Sequence, residues 1–349
     1  MSPARRLGAA CALALPLLAG CADGREPVTV YTPHGRDLMV LLEAEFERAN
    51  PGIDLRFLDM GSQEVYDRVR SEKANPQGDV WFGGPDAIFA RAAAEGLLAP
   101  YRPSWAEAVP PSSRAAGDLY FGAYRTLPVI VFNQKQVAES EAPRDWDDLL
   151  APRFRGRVLV RDPMASGVMR TIFGMVLARS LAETGSLDRG LAWLARLDAQ
   201  TKEYVANPAL LHEKLMRGEG DATLWELTDT LLEREKGVPF GYRFATSGTP
   251  VIDDAIALVA GAPQRAAALA FIEYVGSGEA QLLAAEKAFR IPARTDLPAE
   301  RLPEWARATL AEMVPAVYDE ALAGAKGPEW MSLWDRTVRG KGSAAGSPP

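Results

Sequence analysis

Cysteine and histidine are scarce in this sequence. Its 349 residues hold two cysteines, Cys11 and Cys21, and two histidines, His34 and His212. Both cysteines fall within the first 21 residues, so a chain trimmed there has no disulfide and no spare thiol. Its stability must then come from its core. No Gly-x-Ser-x-Gly elbow, His-Glu-x-x-His pair or paired-glycine nucleotide fingerprint is present, which argues against the familiar nucleophile, zinc and dinucleotide chemistries. Basic charge is short as well: 39 Lys and Arg against 46 Asp and Glu. Nucleic acid is a poor partner for such a chain, and any binding of anions must be local.

Long apolar runs are also missing, apart from Leu7–Leu18, which is too short to span a bilayer. That run follows Arg5 and Arg6 and ends in Leu18-Ala19-Gly20-Cys21. The pattern resembles a bacterial lipoprotein signal, in which Cys21 becomes the lipid-bearing first residue. The expected location is a bacterial periplasm or cell surface, with membrane attachment through Cys21. Residues 22–26 would hold the domain within roughly 20 Å of the lipid. Residues 22–349 number 328 with a net charge of −9, more chain than one core usually serves, so two lobes are expected.

What is present is a repeated strand-loop-helix unit. Val28–Tyr31 reads as a strand, Thr32–Gly35 as its loop, and Arg36–Asn50 as a helix stopped by Pro51-Gly52. Ile53, Leu55 and Phe57 alternate along a second strand, and Gly61-Ser62 opens a helix ending before Asn75-Pro76. Asp79–Phe82 is a third strand, with Gly83–Asp86 as loop and Ala87–Glu95 as helix. Such units imply a parallel, doubly wound α/β sheet whose ligands bind outside the carboxyl ends of the strands. His34, Gly35, Ser62, Gly83 and Gly84 fall at those ends.

Pro100–Ser113 reads as a surface stretch, and Phe121–Asn133 as a long apolar strand suited to crossing between lobes. In the second lobe, Val158–Val160, Asp162-Pro163 and a helix capped by Ser166 repeat the same device. Gly167 behind Ser166 lets another group approach the backbone, so this helix end suits an oxygen-rich anion. Further helices are expected at Leu187–Leu197, Pro208–Gly218, Glu226–Lys236, Pro263–Tyr274, Gly278–Lys287 and Ala306–Leu322, the last broken at Pro315. Ala222–Trp225, Tyr242–Ala245 and Ala255–Ala260 read as strands. Gly340–Pro349 has the composition of a disordered tail.

Several segments carry a resemblance in their order and spacing. They are Val28–His34, Asp79–Gly84, Glu95–Tyr101, Trp146–Pro152, Asp162–Gly167, Ile256–Pro263 and Ala266–Ile272. Together the mature chain resembles the family 1 extracellular solute-binding proteins of ABC importers, in the branch of ferric-ion, hexose-phosphate and aminoalkylphosphonate binders. The resemblance implies a two-lobed, type II periplasmic-binding-protein fold, each lobe a mainly parallel sheet flanked by helices, joined by crossing strands. It places a signal at residues 1–21, one lobe at 22–127 with 248–293, the other at 128–247 with 294–338, and a tail at 339–349. It also implies an ABC permease as partner, no cofactor, and a monomer.

Iron-binding members of that branch use a His after the first strand, a Glu after the third and two adjacent tyrosines in the second lobe. Here His34 fills the first position, Gly84 stands at the second, and Thr228 and Asp229 replace the tyrosines. Ferric ion wants several anionic oxygens, which one imidazole and one carboxylate do not supply. A ferric receptor using an exogenous anion is therefore the weaker alternative, and an exported enzyme the weakest. The expected solute is a small oxygen-rich anion, a sugar phosphate or phosphonate. Ser62, Gly83, Gly84, Ser166 and Gly167 supply donors, His34 donates, and Asp229 accepts from hydroxyls or an amine. Arg125 either adds charge or lies at the surface of the hinge. Asp253-Asp254 is either a second acceptor pair or, as the preferred reading, the polar start of a strand; His212 reads as a solvated side chain, and Trp81 and Trp225 as core.

Overall fold

A computed structural model describes residues 24–341 of the chain. The signal segment, Cys21 and nearly all of the expected tail lie outside the described residues. The chain opens with β1 (Glu26–Thr32), α1 (Arg36–Ala49), β2 (Ile53–Asp59), α2 (Ser62–Ser71), β3 (Val80–Pro85), α3 (Asp86–Ala94) and β4 (Leu98–Ala99). β5 (Phe121–Thr126) and β6 (Pro128–Asn133) follow, with β7 (Val158–Arg161), α4 (Gly167–Thr184), α5 (Asp188–Gln200) and β8 (Thr201–Val205). Next come α6 (Pro208–Met216), β9 (Ala222–Glu226), α7 (Leu227–Glu235), β10 (Phe240–Arg243) and β11 (Ile252–Val259). The described chain closes with α8 (Arg265–Val275), α9 (Gly278–Ala288), β12 (Ile291–Pro292), α10 (Glu304–Glu312) and α11 (Glu320–Thr337).

These elements build two sheets, ordered β12-β5-β11-β3-β1-β2 with β4 beside β11, and β10-β6-β9-β7-β8. Both are mixed, which corrects the expectation of mainly parallel sheets. β1 pairs in parallel with β2 and β3, and β7 with β8 and β9, but the remaining pairs are antiparallel. The cause is the exchange of strands between lobes. β6 comes from the first sheet and β11 returns from the second, so each enters its new sheet against the direction of the resident strands.

Period-2 patterning fixes the register of each sheet, because alternate residues serve opposite faces. Val28, Val30, Val80, Phe82, Ile256 and Leu258 pack into one core cluster, whereas Tyr31, Trp81, Ala255 and Ala257 pack into the cluster behind it. In the second sheet Ile130, Phe132, Val158 and Val160 oppose Val129, Val131 and Leu159 in the same way. Burying side chains of this kind contributes about 1.5–3 kcal/mol each. Two covered sheets therefore hold the chain together without a disulfide among the described residues.

The long crossing strand is two strands, broken at Leu127, whose carbonyl accepts from the Leu227 amide at 2.9 Å. The Pro100–Ser113 stretch is only partly a surface. Trp105 and Val109 are buried, and the Trp105 indole donates to the Ile272 carbonyl at 3.1 Å. The last helical region breaks as expected around Pro315, and residues 314–316 bond both ways with Thr249. Arg339 pairs with Asp162 at 2.6 Å, so an ordered contact occupies the start of the expected tail. No helix among the described residues is long and apolar enough to cross a membrane.

Candidate functional site

A cavity of about 560 Å³ lies between the two sheets. Four helix N-termini reach it: Gly61-Ser62 of α2, Ser166-Gly167 of α4, Asn207-Pro208 of α6 and Glu226 of α7. Each brings the positive end of a helix dipole, although the Gly167 and Met169 amides of α4, the Leu210 amide of α6 and the Leu227 amide of α7 already have partners within the chain. Their convergence follows from topology, since every one of these helices leaves the carboxyl end of a strand that faces the other lobe.

Two arginines add full charge. Arg161 ends β7, and its Nη1 donates to the Val205 carbonyl at 2.9 Å and to the Ala206 carbonyl. Its guanidinium lies 5.5 Å from the Trp225 ring centroid. Arg290 donates through Nη2 to the His34 carbonyl at 2.8 Å. A left-handed turn at Phe289, with φ of 50°, ends α9 and redirects the chain there. Both arginines are buried, and neither Nε has a hydrogen-bond partner. The same holds for His34 Nε2. Arg161 and Arg290 both line the cavity and bring positive charge to it from the two lobes.

The wall also carries carboxylates. Asp254 accepts from the Gly84 amide at 3.2 Å and from the Thr126 hydroxyl. Irregular pairing of β11 on both sides of Asp254 turns that side chain out of the ladder. Burial pushes its carboxyl up to about 6, against the pull of the Thr126 hydroxyl and Arg290. Burial, with the charge of Asp229 next, also raises Glu226 well above the usual range. Asp59 is raised by burial and by Asp229. His34 is held well below its ordinary value by burial and by Arg290, so it is neutral. Its ring meets Phe82 and Tyr124 edge-on, at centroid distances of 4.5 and 5.9 Å.

Of the ten residues singled out in the sequence, His34, Ser62, Gly84, Ser166, Gly167 and Asp229 line this cavity. Four lie off it. Arg125 faces Asp253 at 3.6 Å, and the Thr228 hydroxyl donates to the Phe289 carbonyl at 3.0 Å. A Cβ on Gly83 would come 2.6 Å from the His34 ring, which places Gly83 behind the histidine. Gly35 is the residue before α1, held at φ 78°. The open anion cradle expected at Ser166-Gly167 is also corrected. The Ser166 hydroxyl accepts from the Met169 amide, and the Gly167 amide donates to Ser62 Oγ.

Residues not foreseen there include Asp59, Thr126, Arg161, Glu226, Asp254 and Arg290. Asp254, whose preferred reading is the polar start of a strand, lines the cavity. Its neighbour Asp253 lies off the cavity, accepting from Ser113. Trp225 is buried as expected yet reaches the cavity, donating to Asp229 at 3.0 Å. His212 is half-buried rather than solvated, its ring 5.9 Å from that of Trp225. No group of three or more His, Cys, Asp or Glu among the described residues is arranged to hold a metal ion.

Residues 28–290 match the model of the bacterial extracellular solute-binding protein family, and the chain belongs to it. It falls in the branch that includes phosphonate, sugar-phosphate and iron binders. A Sinorhizobium fredii protein named as the periplasmic-binding protein of an ABC transporter is 30% identical over 270 residues, 76% of this chain and 74% of that one. A Salmonella typhimurium protein named for binding 2-aminoethylphosphonate is 30% identical over 253 residues, 70% of this chain and 71% of that one. Iron-uptake proteins of Synechocystis are also among the relatives. The structure of the periplasmic binding protein AfuA from Actinobacillus pleuropneumoniae, with fructose-6-phosphate bound, superposes with a TM-score of 0.78. It is 22% identical, and the match covers 90% of this chain and 98% of that one. The fold is thus that of the type II periplasmic binding proteins.

Proposed function

We propose that this chain is the receptor of an ABC importer and captures a small solute bearing a phosphate or phosphonate between its lobes. The observation that carries this reading is the convergence of the N-termini of α2, α4 and α6 on a cavity lined by two buried arginines, Arg161 and Arg290. Such a site stabilises oxyanions through dipoles and charge-assisted hydrogen bonds. The protein would act as a monomer, with lobes spanning 22–127 plus 248–293 and 128–247 plus 294–338. Lipid on Cys21 would hold it at the membrane beside its permease.

A thermal-shift screen over phosphonates, sugar phosphates, polyamines and ferric ion tests the reading, with calorimetry on each hit. The expected result is stabilisation by an oxyanion-bearing solute that is recovered unchanged, as a receptor rather than an enzyme requires. Tight ferric binding without an added organic anion would overturn it. Ferric ion is the less supported cargo because His34 is packed among aromatic rings and the tyrosine positions hold Thr228 and Asp229. Anchoring has its own test: Cys21→Ala should abolish incorporation of labelled acyl chain and leave the domain folded.

A further inference from the structure

A second, smaller cavity of about 90 Å³ lies behind the seam where Pro85 meets Gly167. Those two residues line both cavities and form the partition between them. One wall of the smaller cavity is α3, whose Ile88 packs in the cluster of Tyr31 and Trp81 on the first sheet. The opposite wall is α4 and α11, which share the core of the second sheet. A Cβ on Gly324 of α11 would come 3.0 Å from that of Ala87 on α3, so the walls touch. Because they belong to different lobes, the cavity is complete only while the lobes are together.

Ile88, Val251, Ile252 and Ala323 give this cavity an apolar lining, and Arg91 and Arg170 bring it one positive charge from each lobe. Arg91 lies 4.4 Å over the Tyr66 ring. Arg170 donates through Nε to the Pro163 carbonyl at 2.9 Å and through Nη2 to the Met164 carbonyl at 2.6 Å. No carboxylate among the described residues comes within ion-pair distance of either guanidinium. Burial, with the charge of Arg91 next, lowers Arg170 from its ordinary value against the pull of Asp67 and Asp162. Asp86 and Glu320 also line the cavity, but they open α3 and α11, where the helix dipoles offset a negative charge. Arg170 stands one turn into α4, at the positive end of its helix, and gains no such help.

We propose that this cavity is a second binding site, which takes a short-chain monocarboxylate and holds the lobes together when filled. Arg91 and Arg170 receive the carboxylate through charge-assisted hydrogen bonds, and the apolar lining takes the alkyl part. A volume of about 90 Å³ is that of about three waters, so the chain is short. Asp86 and Glu320 repel a second negative charge, which excludes dicarboxylates. A ligand that binds only closed lobes and a solute that closes them must each tighten the binding of the other by the same factor. That coupling rests on the reading of the larger cavity as the solute site; the carboxylate site itself does not.

Isobutyrate is the probe, with isobutylamine and succinate as controls, read by NMR at the methyl groups of Ala87 and Ala323. Isobutyrate should shift both signals saturably, and the two controls should not. It should also lower the radius of gyration of the solute-free protein in small-angle scattering. Arg91→Met should weaken isobutyrate at least about tenfold, the loss of one charge-assisted bond. Arg91→Lys should weaken it less. Neither should change solute affinity measured without isobutyrate by more than about twofold, because Arg91 lies off the larger cavity. Saturating isobutyrate should tighten the best solute of the screen at least about fivefold. Equal shifts with isobutyrate and isobutylamine, or shifts that survive Arg91→Met unchanged, would overturn the inference. So would an unchanged solute affinity at saturating isobutyrate. The absence of any shift in a protein that binds its solute would overturn the inference and leave the oxyanion reading standing. Selective shifts with a smaller radius, in a protein that rejects every solute of the screen, would keep the inference and remove that reading.

Discussion

The Gly167 amide, at the start of α4, donates to the Ser62 hydroxyl, at the start of α2, across 3.1 Å. The bond joins the two lobes beside the cavity. A Cβ on Gly167 would come 2.6 Å from Pro85 Cδ and 2.8 Å from Ser62 Oγ. Glycine is needed here because the lobes touch, and the space expected for an anion is filled by Pro85. Gly167→Val should thus leave each lobe folded but hold them apart. Small-angle scattering at saturating solute should give a larger radius of gyration than the parent, with at least tenfold weaker binding. Equal radii would mean that the contact does not set the closed state. Ser62→Ala removes one hydrogen bond and should cost about 1 kcal/mol of binding or less.

The buried arginines make a sharper test of the oxyanion reading. Arg161→Met keeps the length of the side chain and removes an always-charged donor. A charge-assisted bond contributes about 1.5–3 kcal/mol, so affinity should fall between about tenfold and a hundredfold. Arg290→Met should do likewise. Arg125→Met should leave affinity within about twofold, because Arg125 faces Asp253 and lies off the cavity. Calorimetry with the best solute from the screen decides between them. Equal losses at all three positions would point to a general effect of charge.

How much of this was legible in the sequence depended on the range of each cause. Local causes were readable. The alternation in Val28–Tyr31 gave the centre of β1, and the cap at Ser166 gave the start of α4. Arg290 could not be read, because its place depends on the Phe289 turn at the end of α9 and on contact with the His34 carbonyl 256 residues away. Asp254 looked like the polar edge of a strand because its neighbours gave no sign of the irregular pairing that re-aims it. Gly167 showed that something approaches closely without showing that it is Pro85. Strand direction failed for the same reason, since mixed sheets arise only when lobes exchange β6 and β11. β8 was missed because Thr201-Lys-Glu-Tyr-Val has little apolar alternation.

Thr228 illustrates a residue picked for the wrong role. Its hydroxyl holds the Phe289 carbonyl at 3.0 Å and so steadies the turn that delivers Arg290. Thr228→Val keeps the shape and loses the bond. Denaturant unfolding should show a loss of about 1 kcal/mol, and solute binding should weaken less than in Arg290→Met. A binding loss as large as that of Arg290→Met, without any loss of stability, would return Thr228 to the solute contacts.

Asp254 links the cavity to acidity. Burial raises its carboxyl from the ordinary 3.8 to about 6, although Thr126, Arg290 and the Gly84 amide all favour the ionised form. For an acid raised on folding, the unfolded chain ionises first. The fold is therefore favoured while the group stays protonated, and that contribution is lost as pH rises from about 4 through about 6. A difference of about two pKa units corresponds to about 3 kcal/mol. Asp254→Asn cannot ionise, so its stability should lack this decline. The readout is the difference in unfolding free energy between parent and variant, measured without solute at pH 4 and pH 7.5. Titrating groups remote from Asp254 are common to both proteins and drop out, whereas Asp86 and Glu226, which the Asp254 charge helps to raise, are eased in the variant in the same direction. The parent should lose ground to the variant by about 3 kcal/mol over that interval. A difference that does not change with pH would show that Asp254 is ionised throughout, held by Thr126 and Arg290 more strongly than burial opposes them.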